Sequence, residues 1–361
     1  MGCPCAAPSV TYDGIPLIRA SPGDIAMRRV ITGLLAVLFS ALLPSLALAE
    51  AKEVRIAQQY GLIYLPLHAA VEHKLIEKHA QAAGLGDIKV NLVQLASGAA
   101  VNDALLSGQL DVAIVGATVL ITVWDRTKGR GNIKGMMALC DSPILFNTSD
   151  PRIKSIRDFG ENDRIAVTAV KVTHHAVVLQ MAAAKELGWD NRFKLDPLTV
   201  SMSHPDAMAA MLAPRHEVRT HAATIPFLFQ ELEDPRVRTV IDSFEVAGGR
   251  HTVAVIYNTE KWKTENPKTY LAVAKGIEEG MDWVNKNKRA AAELYVRFEK
   301  SKLSPEAVLK MLEREDKIFY TPTPSKMMLH AEFMHKIGSI RNLPASWKDM
   351  FWENVHDRPG S

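Results

Sequence analysis

The residues with most to offer chemically stand just after short apolar runs that read as strands. They are Tyr60, Ser97-Gly98, Gly116-Ala117-Thr118, Thr173-His174, His204 and Thr224. In open α/β sheets such positions gather beyond the carboxyl ends of the strands, where helix N-termini converge. Hydroxyls and free backbone N–H groups there suit a small anion, or the anionic head of a larger molecule. A charge-assisted hydrogen bond contributes roughly 1.5–3 kcal/mol. Three or four of them, with packing on Tyr60 and Phe227, reach the roughly −8 kcal/mol of micromolar binding. No Arg or Lys stands at these strand ends. A monoanion or an amphipathic aromatic molecule is therefore expected rather than a doubly charged ligand. Ser97 and Thr173 read equally well as helix N-caps, and Gly98 and Gly116 as turn residues. His174 and His175 are neighbours, so at most one of them is expected to reach a ligand.

Catalytic patterns do not occur. The sequence has no G-x-S-x-G elbow, no P-loop, no dinucleotide G-x-G-x-x-G and no H-E-x-x-H. An enzyme is not expected, nor is a cofactor or a metal. His68, His73 and His79 miss the i, i+4 pairing of a helical metal site and are expected to face solvent. Three cysteines make neither a disulfide framework nor a thiolate zinc site. With 43 Lys+Arg against 40 Asp+Glu, charge gives no reason to expect nucleic acid or an anionic membrane as partner.

The elements that must hold these residues follow from the pattern after Glu50. Val54–Ala57, Lys89–Leu95 and Asp111–Gly116 read as strands, with helical spacing at Leu67, Val71 and Leu75 and again at Val101, Ala104 and Leu105. Arg164–Val170, Leu198–Met202, Val218–Thr224, Val237–Ile241 and Thr252–Tyr257 continue the strands, with helices at Thr173–Leu187 and Pro205–Leu212. Beyond Tyr257 the chain reads as helical, starting from an Asn266-Pro267 N-cap signal. This order implies an α/β fold of two lobes, each a mainly parallel sheet flanked by helices, with a helical C-terminal tail. The expected divisions are 53–139 plus 252–361 for lobe one and 140–251 for lobe two. Gly248-Gly249 would give freedom at one of two crossings, near Leu139–Ser142 and Gly248–Thr252.

The N-terminal region reads differently. Arg28-Arg29, the apolar run Ile31–Leu43, Pro44 and Ala47-Leu48-Ala49 have the order of a secretory signal peptide, 27–49. Residues 1–26 read as an extension from a misplaced start codon. The mature chain then keeps one cysteine, Cys140, and is exported.

Several stretches together resemble the substrate-binding proteins of nitrate/sulfonate/taurine ABC importers. They are VRIAQQYGLIYLPLHAAVEHKLIEK from Val54, VQLASGAAVNDALLSGQLDVAIVG from Val93, and the segments IAVTAVKVTHHAVVLQMAAAKELG and YNTEKWKTENPKTYLAVAKGIEEGMDWV. Leu65-Pro66-Leu67, Ser97-Gly98, Gly108, Asp111 and Gly116 fit that family's order. The resemblance implies a type II periplasmic-binding-protein fold, a periplasmic location, a small-molecule ligand, ABC permease subunits as partners, and a monomer. It also brings alternatives on the same fold: a thiamin-pyrimidine binding protein or synthase-like enzyme, or a periplasmic sensor. One departure stands out. Where many members read A-L-x-x-G-x-x-D-A before a Pro pair, this chain has Thr220-His221 and a single Pro226. N-terminal sequencing of the exported protein is expected to begin at Glu50; a chain beginning at Met1 or Met27 would contradict the leader reading.

Overall fold

The computed structural model describes residues 50–171 and 173–361. The leader and the extension lie outside the described residues. The strands are β1 Glu53–Gln58, β2 Lys89–Gln94, β3 Ala113–Gly116, β4 Ile133–Asp141, β5 Leu145–Thr148, β6 Arg164–Val167, β7 Thr199–Ser201, β8 Val218–Ala223, β9 Arg238–Asp242, β10 Thr252–Thr259 and β11 Phe319–Tyr320. The first helices are α1 Leu65–Glu72, α2 Leu75–Ala82, α3 Gly98–Leu106, α4 Ala117–Thr127, α5 His174–Leu187, α6 His204–Leu212, α7 Phe227–Leu232 and α8 Ser243–Ala247. The later ones are α9 Glu260–Glu265, α10 Pro267–Lys286, α11 Lys288–Phe298, α12 Pro305–Leu312 and α13 Met327–Lys336.

β5 to β9 form one sheet, in the order β7-β6-β8-β5-β9. A second sheet has the order β11-β4-β10-β3, and the pair β1-β2 joins it through a bridge from Ile56 to Val112. These sheets are mixed, not mainly parallel as the strand–helix rhythm predicts. β1 with β2, and β6 with β7 and β8, run parallel. β5 is antiparallel to β8 and β9, and β10 to β3 and β4. β11 is antiparallel to β4 as well; β5 and β10 are the strands that carry the chain across. A strand reached from the other sheet, with no crossover helix laid on its own sheet, is free of the parallel constraint. β4 and β5 were not foreseen, because β4 is buried along nearly its whole length and shows no alternation.

Helix starts follow their local chemistry. Ser97 accepts from Ala100 N–H (3.3 Å), Thr173 from Ala176 N–H (3.5 Å), and Ser304 from Ala307 N–H (3.1 Å). Asn266 does precede α10, yet its side chain does not cap it. Its Oδ1 accepts from Ala51 N–H at 2.7 Å, and the Glu50 carboxylate caps α10 instead, through Lys268 N–H (3.1 Å) and Thr269 N–H (2.7 Å). The stripe Tyr270, Val273, Ala274, Ile277, Met281 and Val284 on α10 is buried, as its spacing predicts.

The two crossings are tied to one another by a single carboxylate. Asp141, at the end of β4, is fully buried. It accepts from Thr252 Oγ1 (2.8 Å) and Ser325 Oγ (2.9 Å) and pairs with Arg250 Nε (2.9 Å). Thr252 and Ser325 are bonded again by backbone, from Thr252 N–H to Ser325 O at 3.1 Å. One side chain thus joins the outgoing crossing, the returning crossing and the C-terminal segment. Asp141→Ala is expected to cost about 2–3 kcal/mol, because two hydroxyls lose a charged acceptor in a dry site. Urea unfolding measures this, and a midpoint equal to that of the parent chain would contradict the clamp.

Candidate functional site

Between the two sheets lies a cavity of about 30 Å³. Tyr60 and Gly116 reach it from the half that holds β1, β3 and β10, and His174, His204 and Thr224 from the half that holds β5 to β9. These are five of the positions singled out by strand ends and helix starts. Thr168, His175, Tyr64, Gln59, Ile63 and Val253 complete the wall. The halves touch here, with Leu62 N–H donating to Ile225 O at 3.0 Å. Gly116 is required by that approach: a Cβ on it would lie 2.9 Å from His174 Cβ. Tyr60 also borders a wider groove of about 920 Å³, which Phe227 and Met208 line from the other side.

The remaining candidates lie elsewhere. Ser97 and Gly98 line neither space; Ser97 caps α3, and Gly98 packs on Val119 and Val115. Thr173 sits behind the wall, its hydroxyl donating to Ala169 O at 2.9 Å. Ala117 and Thr118 are fully buried at the start of α4, and the Thr118 hydroxyl has no partner. Both His174 and His175 border the cavity, contrary to the expectation of one at most. They form the first turn of α5, and a helix that ends at a cavity presents consecutive residues to it. His68 does not face solvent as expected: it is buried, stacked on Phe298 at 4.3 Å and bonded to Gln58 Oε1 at 2.8 Å.

A chain of polar groups runs from the cavity into the sheet of β5 to β9. Thr224 Oγ1 lies 3.1 Å from His204 Nε2, and His204 Nδ1 lies 2.8 Å from His221 Nε2. His221 Nδ1 meets the Glu231 carboxylate, whose other oxygen accepts from Asn147 Nδ2 at 2.9 Å. Two members of this array, His221 and Thr224, lie in the Thr220–Pro226 stretch. Burial pushes the Glu231 carboxyl up to about 8 and the His221 imidazole down to about 3. Near neutral pH the pair therefore shares one proton and has no net charge.

That proton sets the direction of every bond beyond it. His221 Nε2–H donates to His204 Nδ1, His204 Nε2–H donates to Thr224 Oγ1, and the Thr224 hydroxyl hydrogen is left for the cavity. The direction is the same whether Glu231 or His221 holds the proton. Losing it reverses the chain, and Thr224 then turns only lone pairs outward. His175 adds a second free group: Nδ1 lies 3.2 Å from Thr168 Oγ1, while Nε2 is buried without a partner. An unpaired buried polar atom costs roughly 1–3 kcal/mol. A ligand that bonds it recovers that cost.

A second group of histidines adjoins the first. His174 Nε2 lies 3.2 Å from His330 Nε2, and one nitrogen of each of His174, His251 and His330 lies within 4.8 Å of the others. Sequence reading missed His251 and His330. They stand 77 or more residues beyond His174, and no local spacing links them. Burial keeps all these rings neutral: it lowers His251 to about 3 and His330 to about 4, and holds His174, His175 and His204 well below 6.5. In the unfolded chain each takes up its proton near 6.5. Below that pH the unfolded state binds more protons, so stability is lost as pH falls from about 6.5 toward 4. Urea midpoints measured from about pH 7 to about pH 5 are expected to fall steadily; a flat series would contradict neutral burial.

Comparison with known proteins follows the geometry. No protein-family model and no curated protein matches the chain. Solved structures do. The alkanesulfonate-binding protein SsuA from Xanthomonas axonopodis pv. citri, bound to MOPS, is 16% identical with a TM-score of 0.62, over 84% of this chain and 97% of that one. The periplasmic nitrate-binding protein NrtA from Synechocystis is 16% identical with a TM-score of 0.63, over 83% and 84%. A Candida albicans protein described as having the generic periplasmic binding protein fold is 12% identical with a TM-score of 0.59, over 80% and 91%. Among the described residues no helix is long and apolar enough to cross a membrane. With two α/β sheets joined by two crossings and a cavity between them, the chain has the two-lobed periplasmic-binding-protein fold.

Proposed function

We propose that the chain is the solute-binding receptor of an ABC importer, periplasmic and without catalytic activity, which hands a small anion to permease subunits. The observation that supports this most is the unpartnered His175 Nε2 on the wall of a cavity shared by both halves, beside a Thr224 hydroxyl with a hydrogen to give. A hydroxyl donor, an unpartnered imidazole nitrogen, no fixed cation and a small space suit a singly charged acceptor head such as a carboxylate, sulfonate or nitrate. The groove bounded by Tyr60, Met208 and Phe227 offers room for an apolar tail. The resemblance to sulfonate- and nitrate-binding proteins points the same way.

In this reading lobe one is 53–139 plus 252–361, lobe two is 140–251, and the halves move about Leu139–Ser142 and Gly248–Thr252. Positive φ at Gly248 and Gly249, 67° and 132°, suits the second of these crossings. Closure is driven only by what the ligand gains in the closed state over the open one. Contacts to both halves supply that difference.

The test is a thermal-shift screen of the chain from Glu50, unfolded and refolded to strip it. The panel holds taurine, alkanesulfonates, nitrate, bicarbonate, aromatic carboxylates and sulfonates, and thiamin pyrimidines. A solute at about 100 times its Kd adds roughly 2.7 kcal/mol of stability. Thr224→Val should weaken an active solute about tenfold, the share of one hydrogen bond to a charged group. Affinity should also fall above about pH 8, where the Glu231–His221 pair loses its proton. Silence across the panel, or an affinity indifferent to Thr224 and to pH, would reject the reading.

A further inference from the structure

We propose that His174, His251 and His330 form a binding site for a divalent transition-metal ion, held by three neutral imidazoles. The proposal goes beyond solute binding and stands without it. The three rings are buried, with centroid separations of 5.1 Å (His174–His251), 4.8 Å (His174–His330) and 5.2 Å (His251–His330). They come from three separate places: the start of α5, the returning crossing just before β10, and α13. Burying three imidazoles against one another wins little as packing, since each has a polar edge to satisfy.

The hydrogen bonds around the rings argue for a cation among them. His330 Nδ1 lies 2.9 Å from Lys326 O, and a carbonyl only accepts, so Nδ1 holds the hydrogen and Nε2 is bare. His174 Nδ1 faces Val253 O at 3.5 Å, which likewise favours hydrogen on Nδ1 and a bare Nε2. Those two Nε2 atoms are 3.2 Å apart. Two lone pairs at that distance repel unless a proton or a metal lies between them. Two nitrogens bound tetrahedrally at about 2.0–2.1 Å from one zinc are themselves about 3.3 Å apart. His251 has contacts of its own, Nε2 to Ser243 Oγ at 2.8 Å and Nδ1 to Thr252 O at 3.3 Å; a metal engages all three rings once the longer of these contacts gives way.

The remaining contacts resemble those that orient metal-bound histidines. His330 is held by the Lys326 carbonyl, His174 by the Val253 carbonyl and His251 by Ser243 Oγ at 2.8 Å from Nε2. The Lys326 ammonium is drawn aside onto the carbonyls of Ala247 (3.0 Å) and Gly248 (3.2 Å). Three nitrogen donors with no carboxylate among them select zinc, copper, nickel or cobalt over calcium and magnesium. The three ligands leave a fourth position on a tetrahedral ion. His174 also walls the cavity between the sheets, so the ion would sit at its edge and tie α5, the returning crossing and α13 together.

The test uses the chain from Glu50, stripped with EDTA and titrated with Zn²⁺, Co²⁺ and Cu²⁺, with Ca²⁺ as a control. One Zn²⁺ per chain, a raised Tm, intense four-coordinate visible bands with Co²⁺ and no effect of Ca²⁺ are expected. His251→Gln and His330→Gln should each weaken Zn²⁺ roughly tenfold or more. His79→Gln, at the surface beside Glu279, should leave the titration unchanged. Electron paramagnetic resonance of the Cu²⁺ form of the unaltered chain counts bound nitrogens directly, and so decides the matter even if a variant does not fold. No stoichiometric Zn²⁺, a site that survives both substitutions, or a copper spectrum with fewer than three nitrogens would overturn the proposal. A chain that binds zinc but no panel solute upholds this site and rejects the receptor reading; the converse result does the opposite.

Discussion

The buried carboxylate of Asp141 is the interaction on which the arrangement of the two halves rests. Burial alone raises its pKa, and three donors oppose that by favouring the charged form. Thr252, Arg250 and Ser325 supply them from segments more than a hundred residues further along the chain. A carboxylate taken out of water is tolerated only when its lone pairs are met. Both crossings and the C-terminal segment must therefore come to one point for the chain to fold. His251 is placed by the same knot, since it lies between Arg250 and Thr252.

From that point outward the site follows from backbone geometry. With the crossings fixed, β3 ends at Gly116 and α5 begins at His174, close enough that no larger residue fits at Gly116. The cavity is narrow because the halves touch directly through Leu62 and Ile225. Its electrostatics are those of neutral donors. Burial strips the histidines of charge, and the Glu231–His221 proton decides whether Thr224 gives or takes a hydrogen bond. Such a site discriminates by hydrogen-bond polarity rather than by net charge.

Much of this was legible in the sequence, for local reasons. Strand ends followed by helix starts are short-range patterns, and they singled out Tyr60, Gly116, His174, His204 and Thr224, which the structure gathers around one cavity. The same rule chose Ser97 and Thr173, whose hydroxyls serve their own helices instead. A sequence cannot distinguish those fates, because cap and ligand contact use the same residue types at the same position. Long-range partners were not legible. His251, His330, Glu231 and Asn147 acquire their roles only when distant segments meet. β4 escaped notice because a strand buried on both faces has no alternation to betray it. The strand at Thr252–Tyr257 was read, but not its antiparallel direction, because direction is set by the crossings and not by local periodicity.

The most direct test of the central claim is a crystal structure of the chain from residue 50, grown with a solute that stabilises it. The account predicts density for an acceptor head between Gly116, His175 and Thr224, within hydrogen-bond reach of His175 Nε2 and Thr224 Oγ1 and touching both halves. Solute bound at Ser97-Gly98, or on one half alone with the cavity between them empty, would contradict it.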